Sequence, residues 1–538
     1  MFSTRAATAA IASWKQVLGV DSVIDDPASL ASYTQSVCAS KRDVVAVLKP
    51  ASHGHVEQIV AIANKQGIPL YPISCGKQWG MGSRLPVQDG AAIVDLGAMN
   101  RIIEVNSKFH YAVVEPGVTQ RQLIDYIKEN DLPLMLNVTG STSDTSLIGN
   151  AMDRGVGYFD SRAHGISNMQ VVLGSGQTVQ TGFGHYPGAK TANLYKHGIG
   201  PSLDGIFLQG NYGIVTSACI DLMPKTDAHM AAIIKIDAED KLPKLIDALA
   251  SLRSRGLITT IAHIGNRERS CMTLAPLLYE QLVESGEPEG GQTKSKAIAM
   301  LEQDGFGPWS AAIGLLGSKG QLRLAKKEIR KVIGLFGKTI FLDDRKVERA
   351  KSMLSSLSFL PAARKQLMMI KAVEPIYGFT RGDTTDKSLQ SVYWAAGDME
   401  HLDESDPDHS DSGILFCLPI FPADGSVVLQ AVAETRNTFS KHGFEAAITV
   451  NLMDAKAMEG VVSLSFNRRD EEQTRRAHDC IQDMEGRYME MGFPPYRVGI
   501  NSMHRVVNEN DAYWQTVRDL KKALDPNNII APGRYNLF

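Results

Sequence analysis

The sequence predicts an α+β protein of two or three domains. Three observations carry this. The chain has 538 residues, more than one hydrophobic core organises. A strand–helix–strand pattern fills residues 44–74. Near residue 225 the texture changes from short strands with glycine turns to longer helices alternating with strands.

The N-terminus, MFSTRAATAAIASWKQVLGV, lacks a long apolar core after its Arg and predicts an amphipathic first helix, not a signal peptide. Residues 44–48 are an apolar strand stopped by Pro50. HVEQIVAIANKQG (55–67) places Val56, Ile59, Val60 and Ala63 at helical spacing, with Gly67 as C-cap. PLYPIS (69–74) is a second strand and empties into CGKQWGMGS (75–83). Three glycines, a Lys and a Trp after a buried strand suit two readings. One is a tight turn. The other is a loop whose successive backbone N–H groups cradle a phosphate, at the strand end where ligands commonly bind.

Residues 91–106, 111–119 and 169–182 read as short strands, with a helix over 120–131 between them. SLIGNAMDRGVGY (146–158) is rich in glycine and small residues. GIFLQGNYGIVTSACIDLMPK (205–225) alternates and ends at a Pro, which sets the first domain boundary. Beyond it, 231–237 is a strand and 240–256 a helix. GEPEGGQTKS (286–295) and DMEHLDESDPDHSDSG (398–413) read as exposed loops. Residues 511–538 form a helix followed by a turn rich in Asn, Pro and Gly.

Composition excludes several functions. Hydrophobic content is 43% and the formal net charge is −3, so nothing favours nucleic acid or an anionic membrane surface. The six cysteines form no CxxC pair and the histidines form no HExxH, which predicts no metal site and a cytoplasmic protein without disulfides. No apolar run is long enough to span a membrane.

In this order the segments resemble the flavoprotein family of vanillyl-alcohol oxidase and the p-cresol methylhydroxylase flavoprotein subunit. The resemblance rests on PISCGKQWGMGS (72–83), VVEPGVT (113–119), LIGNAMDRGVGY (147–158), GIFLQGNYGIVT (205–216), PPYR (494–497) and LDPNNIIAPGR (524–534). It implies FAD, held by residues 1–225 together with 496–538, under a cap domain of residues 226–495. Ser74, Gly76, Lys77, Gln78, Trp79 and Gly80 would then face the pyrophosphate. Gly149, Asn150, Gly155 and Val215 would follow the flavin and adenine parts, and Arg534 would lie near the cofactor. Family members also imply a homodimer or larger assembly, and oxygen, a cytochrome or a quinone as electron acceptor.

The family's phenol oxidisers hold a phenolate with two Tyr and one Arg. Tyr496 and Arg497 match the Tyr-Arg pair, and the second Tyr falls on Met81. The oxidase branch's Asp falls on Ser141, with Asp144 nearby as a substitute. The hydroxylase branch's Glu falls on Ala447, with Glu445 two positions away. Many relatives tether FAD covalently from a cap strand. The aligned position is Ile414, which cannot form that bond, and His409 and Tyr393 are several residues off register. The expectation is therefore non-covalent FAD. The leading reading is removal of hydride from a small aromatic substrate, a para-substituted phenol or benzylic alcohol. An alternative is a hydroxy-acid dehydrogenase that binds a carboxylate through Tyr496 and Arg497. A third is a non-catalytic flavin-binding subunit.

Overall fold

The computed structural model describes residues 4–303 and 307–536, so Met1, Phe2 and Ser3 of the expected first helix lie outside it. That helix, Thr4–Leu18, buries Ala10, Trp14 and Leu18, which lie four residues apart on one face. The Trp14 indole donates to the Ile59 carbonyl of the helix His53–Gln66 at 3.4 Å.

Gly67 ends the helix His53–Gln66 with φ of 67°, the left-handed cap that glycine accepts without strain. The strands on either side, Val44–Leu48 and Leu70–Ile73, are not neighbours. Ala91–Asp95 inserts between them and pairs parallel with both, Val47 and Tyr71 each facing Ile93. A strand pair joined through a helix leaves room for such an insertion, which local pattern does not report. Val23–Ile24 completes this four-stranded sheet by antiparallel pairing with Val44–Leu48.

The free edge of Leu70–Ile73 is covered by the end of the chain. The Leu70 N–H donates to Ile529 O at 2.6 Å and the Ala531 N–H donates to Leu70 O at 2.7 Å. Lys521, in the helix Ala512–Leu524, anchors this return. Its buried ammonium lies 2.5 Å from Asp525 and donates to the carbonyls of Asn211 and Ile530. Asp525 in turn accepts the N–H groups of Ile529 and Ile530 at 3.0 and 2.7 Å.

A second, five-stranded antiparallel sheet runs Ile102–Asn106, Tyr111–Val114, Gly213–Asp221, Ile166–Leu173 and Thr178–Gln180. The apolar stretch 205–225 is not one strand. Its first part is the short helix Asp204–Phe207, and the strand begins at Gly213. From Ala228 the chain builds an eight-stranded antiparallel sheet in the order Lys338–Leu342, Ala228–Ile236, Trp309–Gly317, Ala262–Asn266, Ala447–Leu452, Ala457–Asn467 and Ser412–Cys417, with Ile420–Pro422 also paired to Ala457–Asn467.

Two stretches expected as exposed loops differ. Residues 286–295 run into the helix Gly291–Gln303, with Thr293 buried. The acidic stretch 398–413 holds Asp408, which is fully buried. Its carboxylate accepts from the Val37 N–H at 2.8 Å, the Ser83 hydroxyl at 2.6 Å, the Trp79 indole at 3.3 Å and Arg84 at 3.2 Å. Acidic composition predicts solvation, but four donors from the glycine loop and the N-terminal segment replace the water here. Asp406 takes the other Arg84 amine at 2.7 Å.

Asp408 thus ties the glycine loop to the segment leading into the large sheet. Asp408→Ala leaves Arg84 and the Trp79 indole without this acceptor. It is expected to lower unfolding free energy by about 3–5 kcal/mol in urea titration, the scale for breaking a buried pair. An unchanged midpoint would show that solvent satisfies these donors.

Candidate functional site

The C-terminal end of Leu70–Ile73 turns into the loop 74–83 at the base of a cavity of about 430 Å³. Gly76 and Gly80 adopt φ of 67° and 78°. At Gly80 a Cβ would collide with the Phe416 ring, so the loop and the strand Ser412–Cys417 touch. Lys77 lies over the Trp79 ring at 5.2 Å. Ser146 caps the short helix Leu147–Met152, and a Cβ at Gly149 would lie 2.8 Å from the Ser74 hydroxyl. That helix therefore packs directly on the loop.

Ser74, Gly76, Lys77, Gln78 and Trp79 line the cavity, as do Gly149, Asn150, Gly155 and Val215. Arg534, Tyr496, Arg497, Ser141 and Ile414 also reach it. Four expected residues are not in its lining. Gly80 and Met81 line a separate hollow of about 30 Å³, and the Met81 carbonyl accepts from the Ile500 N–H at 3.0 Å. Asp144 turns outward to Arg121 at 3.0 Å, both side chains more than 40% exposed, because solvation and a cation hold a carboxylate better than the apolar interior. Ala447 shares the face of the large sheet that carries Thr449 but lies beyond the lining, and Glu445 precedes the strand and is exposed. His409 faces Gln35, and the Tyr393 hydroxyl donates to the Glu404 carbonyl.

Asp153 organises the base of the cavity. Its carboxylate lies 2.7 Å from Arg534, accepts from the Gln78 amide and lies 3.8 Å from Arg497 Nε. Arg534 also donates to the Tyr71 hydroxyl at 3.2 Å. Two guanidinium groups therefore share one carboxylate, and positive charge is left over. Tyr496 is placed by its own N–H, which donates to Leu418 O, and by Gln209, which donates to Tyr496 O. Burial raises the Tyr496 hydroxyl pKa above its ordinary value, and the Glu459 charge adds to that, while Arg497 opposes it.

Sequence reasoning missed the roof. In the large sheet His263 pairs with Asn451, Asn451 with Glu459, Thr449 with Val461, and Phe416 with Ser463. These side chains share the face turned to the cavity, since paired residues project to the same side; Glu459 and Ser463 lie on that face beyond the lining. Burial drives the His263 pKa down to about 4, so the ring is neutral, and its Nδ1 lies 2.8 Å from Asn451 Oδ1. Tyr158 packs between His263 and Phe379, at 4.4 and 4.7 Å between ring centres. Glu459 is buried, and its Oε2 has no hydrogen-bond partner among the described residues. Burial pushes its pKa up to about 8, against the opposing pull of Arg497. The one available signal was an acid inside the apolar strand sequence AMEGVV (457–462).

The chain matches the model of an FAD binding domain over residues 44–182 and that of the FAD linked oxidases' C-terminal domain over residues 421–535. It is 30% identical to the 4-cresol dehydrogenase [hydroxylating] flavoprotein subunit of Pseudomonas putida over 98% of this chain and 95% of that protein. It is 32% identical to the 1'-carboxy-chondrochloren decarboxylase of Chondromyces crocatus over 98% of this chain and 97% of that protein. The substrate-bound crystal structure of p-cresol methylhydroxylase superposes with a TM-score of 0.84 at 27% identity, covering 99% of this chain and 97% of that one.

The chain belongs to the p-cresol methylhydroxylase family of FAD-linked oxidoreductases. The p-cresol methylhydroxylase fold accounts for the mixed sheets, and the family for an enzyme with FAD as its cofactor. The residues present fit FAD. The loop 74–79 offers backbone at a strand end without bulky side chains at Gly76, Asn150 Oδ1 is buried without a partner among the described residues, and the surplus guanidinium charge suits an anionic group.

A Glu459 pKa near 8 makes a direct titration informative. Infrared difference spectra of wild type minus Glu459→Gln should show a protonated-carboxyl carbonyl band at pH 6 that disappears as pH rises through about 8. A band already absent at pH 6 would place a solvated or ion-paired carboxylate there.

Proposed function

We propose that this chain oxidises a para-substituted phenol or benzylic alcohol by removing a hydride from the carbon attached to the ring. The observation that carries the reading is the Tyr496–Arg497 pair, enclosed beside a cavity where two guanidinium groups share one carboxylate. FAD, when bound, supplies the two-electron acceptor. The chain's own residues bind and ionise the substrate. The Tyr496 hydroxyl and the Arg497 fork donate to the phenolic oxygen and favour its anionic form, which makes the ring electron-rich and the adjacent C–H easier to break as hydride. The phenolic proton leaves to solvent, and Glu459, which lies outside the cavity lining, acts on the pair from behind: its charge, when ionised, raises the Tyr496 pKa and keeps that hydroxyl a donor. Residues 1–225 and 496–538 hold the cofactor, and residues 226–495 cover it.

The flavin is held without a covalent bond. Ile414, at the cavity wall, offers no nucleophile, while His409 and Tyr393 make their polar contacts elsewhere. Acid precipitation should release all FAD to the supernatant. Fluorescent flavin on the denatured band would contradict this reading.

Anaerobic mixing with para-alkylphenols, vanillyl-type alcohols and 2-hydroxy acids identifies the substrate class. Phenols should bleach the flavin, and Arg497→Met should slow that bleaching by about 10²–10³-fold, the effect of losing one oxyanion donor. Bleaching by 2-hydroxy acids alone would move the reading to a carboxylate at Tyr496 and Arg497. Product analysis then separates the dehydrogenation named for the Pseudomonas putida relative from the decarboxylation named for the Chondromyces crocatus one.

A further inference from the structure

We propose that Arg269 forms a second anion subsite in the cavity roof, which takes a carboxylate carried by the substrate. The inference rests on the reading of this cavity as a substrate site and adds a substrate class to it. Arg269 stands in the first turn of the helix Arg267–Glu284, where the Asn266 side chain accepts its N–H at 2.9 Å. Its side chain crosses the sheet over Gly265, where a Cβ would lie 3.5 Å from Arg269 Cγ. Nη1 then reaches the Ser463 hydroxyl at 3.2 Å and the Met272 sulfur at 3.8 Å.

Among the described residues no carboxylate pairs with this guanidinium. The adjacent Glu268 makes no hydrogen bond through Oε2 to any described residue, and only the Tyr158 hydroxyl, no Asp or Glu, counters the effect of burial on Arg269. Arg269 lines the cavity, and protein surrounds it closely enough that burial lowers its pKa. A cation withdrawn from bulk water without a carboxylate partner is expensive, and its position at a helix N-terminus adds to the positive potential. A ligand anion removes both costs. The Thr449 hydroxyl, also in the lining, is buried with no partner among the described residues and adds a donor. A carboxylate presents two coplanar oxygens to an arginine fork.

Spacing separates this subsite from the phenol end. Arg269 meets Ser463, and Glu459 marks the end nearer Arg497. Four residues along one strand span roughly 13 Å. The matching substrate carries an ionisable hydroxyl at one end and a carboxylate on its para side chain.

The test uses FAD-loaded protein and flavin absorbance changes under anaerobic conditions. The probes are 3-phenylpropanoate, 3-(4-hydroxyphenyl)propanoate and 4-propylphenol. Wild type should bind 3-phenylpropanoate and should prefer 3-(4-hydroxyphenyl)propanoate over 4-propylphenol by tenfold or more. Arg269→Met should abolish that preference and the 3-phenylpropanoate response, with 4-propylphenol affinity unchanged. Arg269→Lys should keep part of the preference and guards against a folding defect. No response to 3-phenylpropanoate and no carboxylate preference in wild type would overturn the subsite. Equal weakening of all three probes, or loss of FAD, in both variants would overturn it too and make Arg269 structural. Failure of 4-propylphenol alone to bind would count against the phenol reading and leave a carboxylate response dependent on Arg269 as support for the subsite.

Discussion

The site depends on one carboxylate shared by three distant parts of the chain. Asp153 follows the short helix Leu147–Met152 and faces Gln78 from the glycine loop, Arg534 from the C-terminal turn and Arg497 from the segment after the large sheet. None of these segments is held in place by local structure alone. Their convergence on one buried oxygen pair fixes the base of the cavity, because a charge withdrawn from water must find its donors in the protein. The second such point is Asp408, which binds the same glycine loop from the other side. The loop is clamped between two carboxylates, so its backbone is preorganised for a ligand.

The chemistry of the cavity follows from unequal charge. Arg497 and Arg534 share Asp153, Glu459 is pushed toward its neutral form, His263 is kept neutral, and Arg269 has no acidic partner among the described residues. An enclosure with surplus guanidinium favours anions, whether a phosphate group, a phenolate or a carboxylate. The low polarisability of the surroundings makes each of these interactions stronger than it would be in water.

Legibility in the sequence differed by residue for physical reasons. The glycine loop, the helix His53–Gln66 and its Gly67 cap were readable because φ preference and helical spacing are local properties. The adjacent Tyr496 and Arg497 were readable through the resemblance, and both reach the cavity. Met81 and Ala447 were placed there by alignment and Asp144 by its nearness in sequence to Ser141, but each points where its own packing or solvation takes it. His263 and Arg269 carried no local signal, and Glu459 only that of an acid inside an apolar strand. Each belongs to an ordinary strand or helix, and only sheet pairing puts them on one face.

By itself the sequence determined the α+β class, the change of texture near residue 225, the glycine loop after a strand and, through the resemblance, FAD. These depend on backbone preference and on spacing along the chain. Tertiary structure decided which strand lies between Val44–Leu48 and Leu70–Ile73, that the C-terminus closes the first sheet, and that an acidic stretch contributes a buried anchor. It also decided the charge balance of the cavity. Burial and the nearness of opposite charge are properties of groups far apart in sequence, so they exist only once the chain has folded.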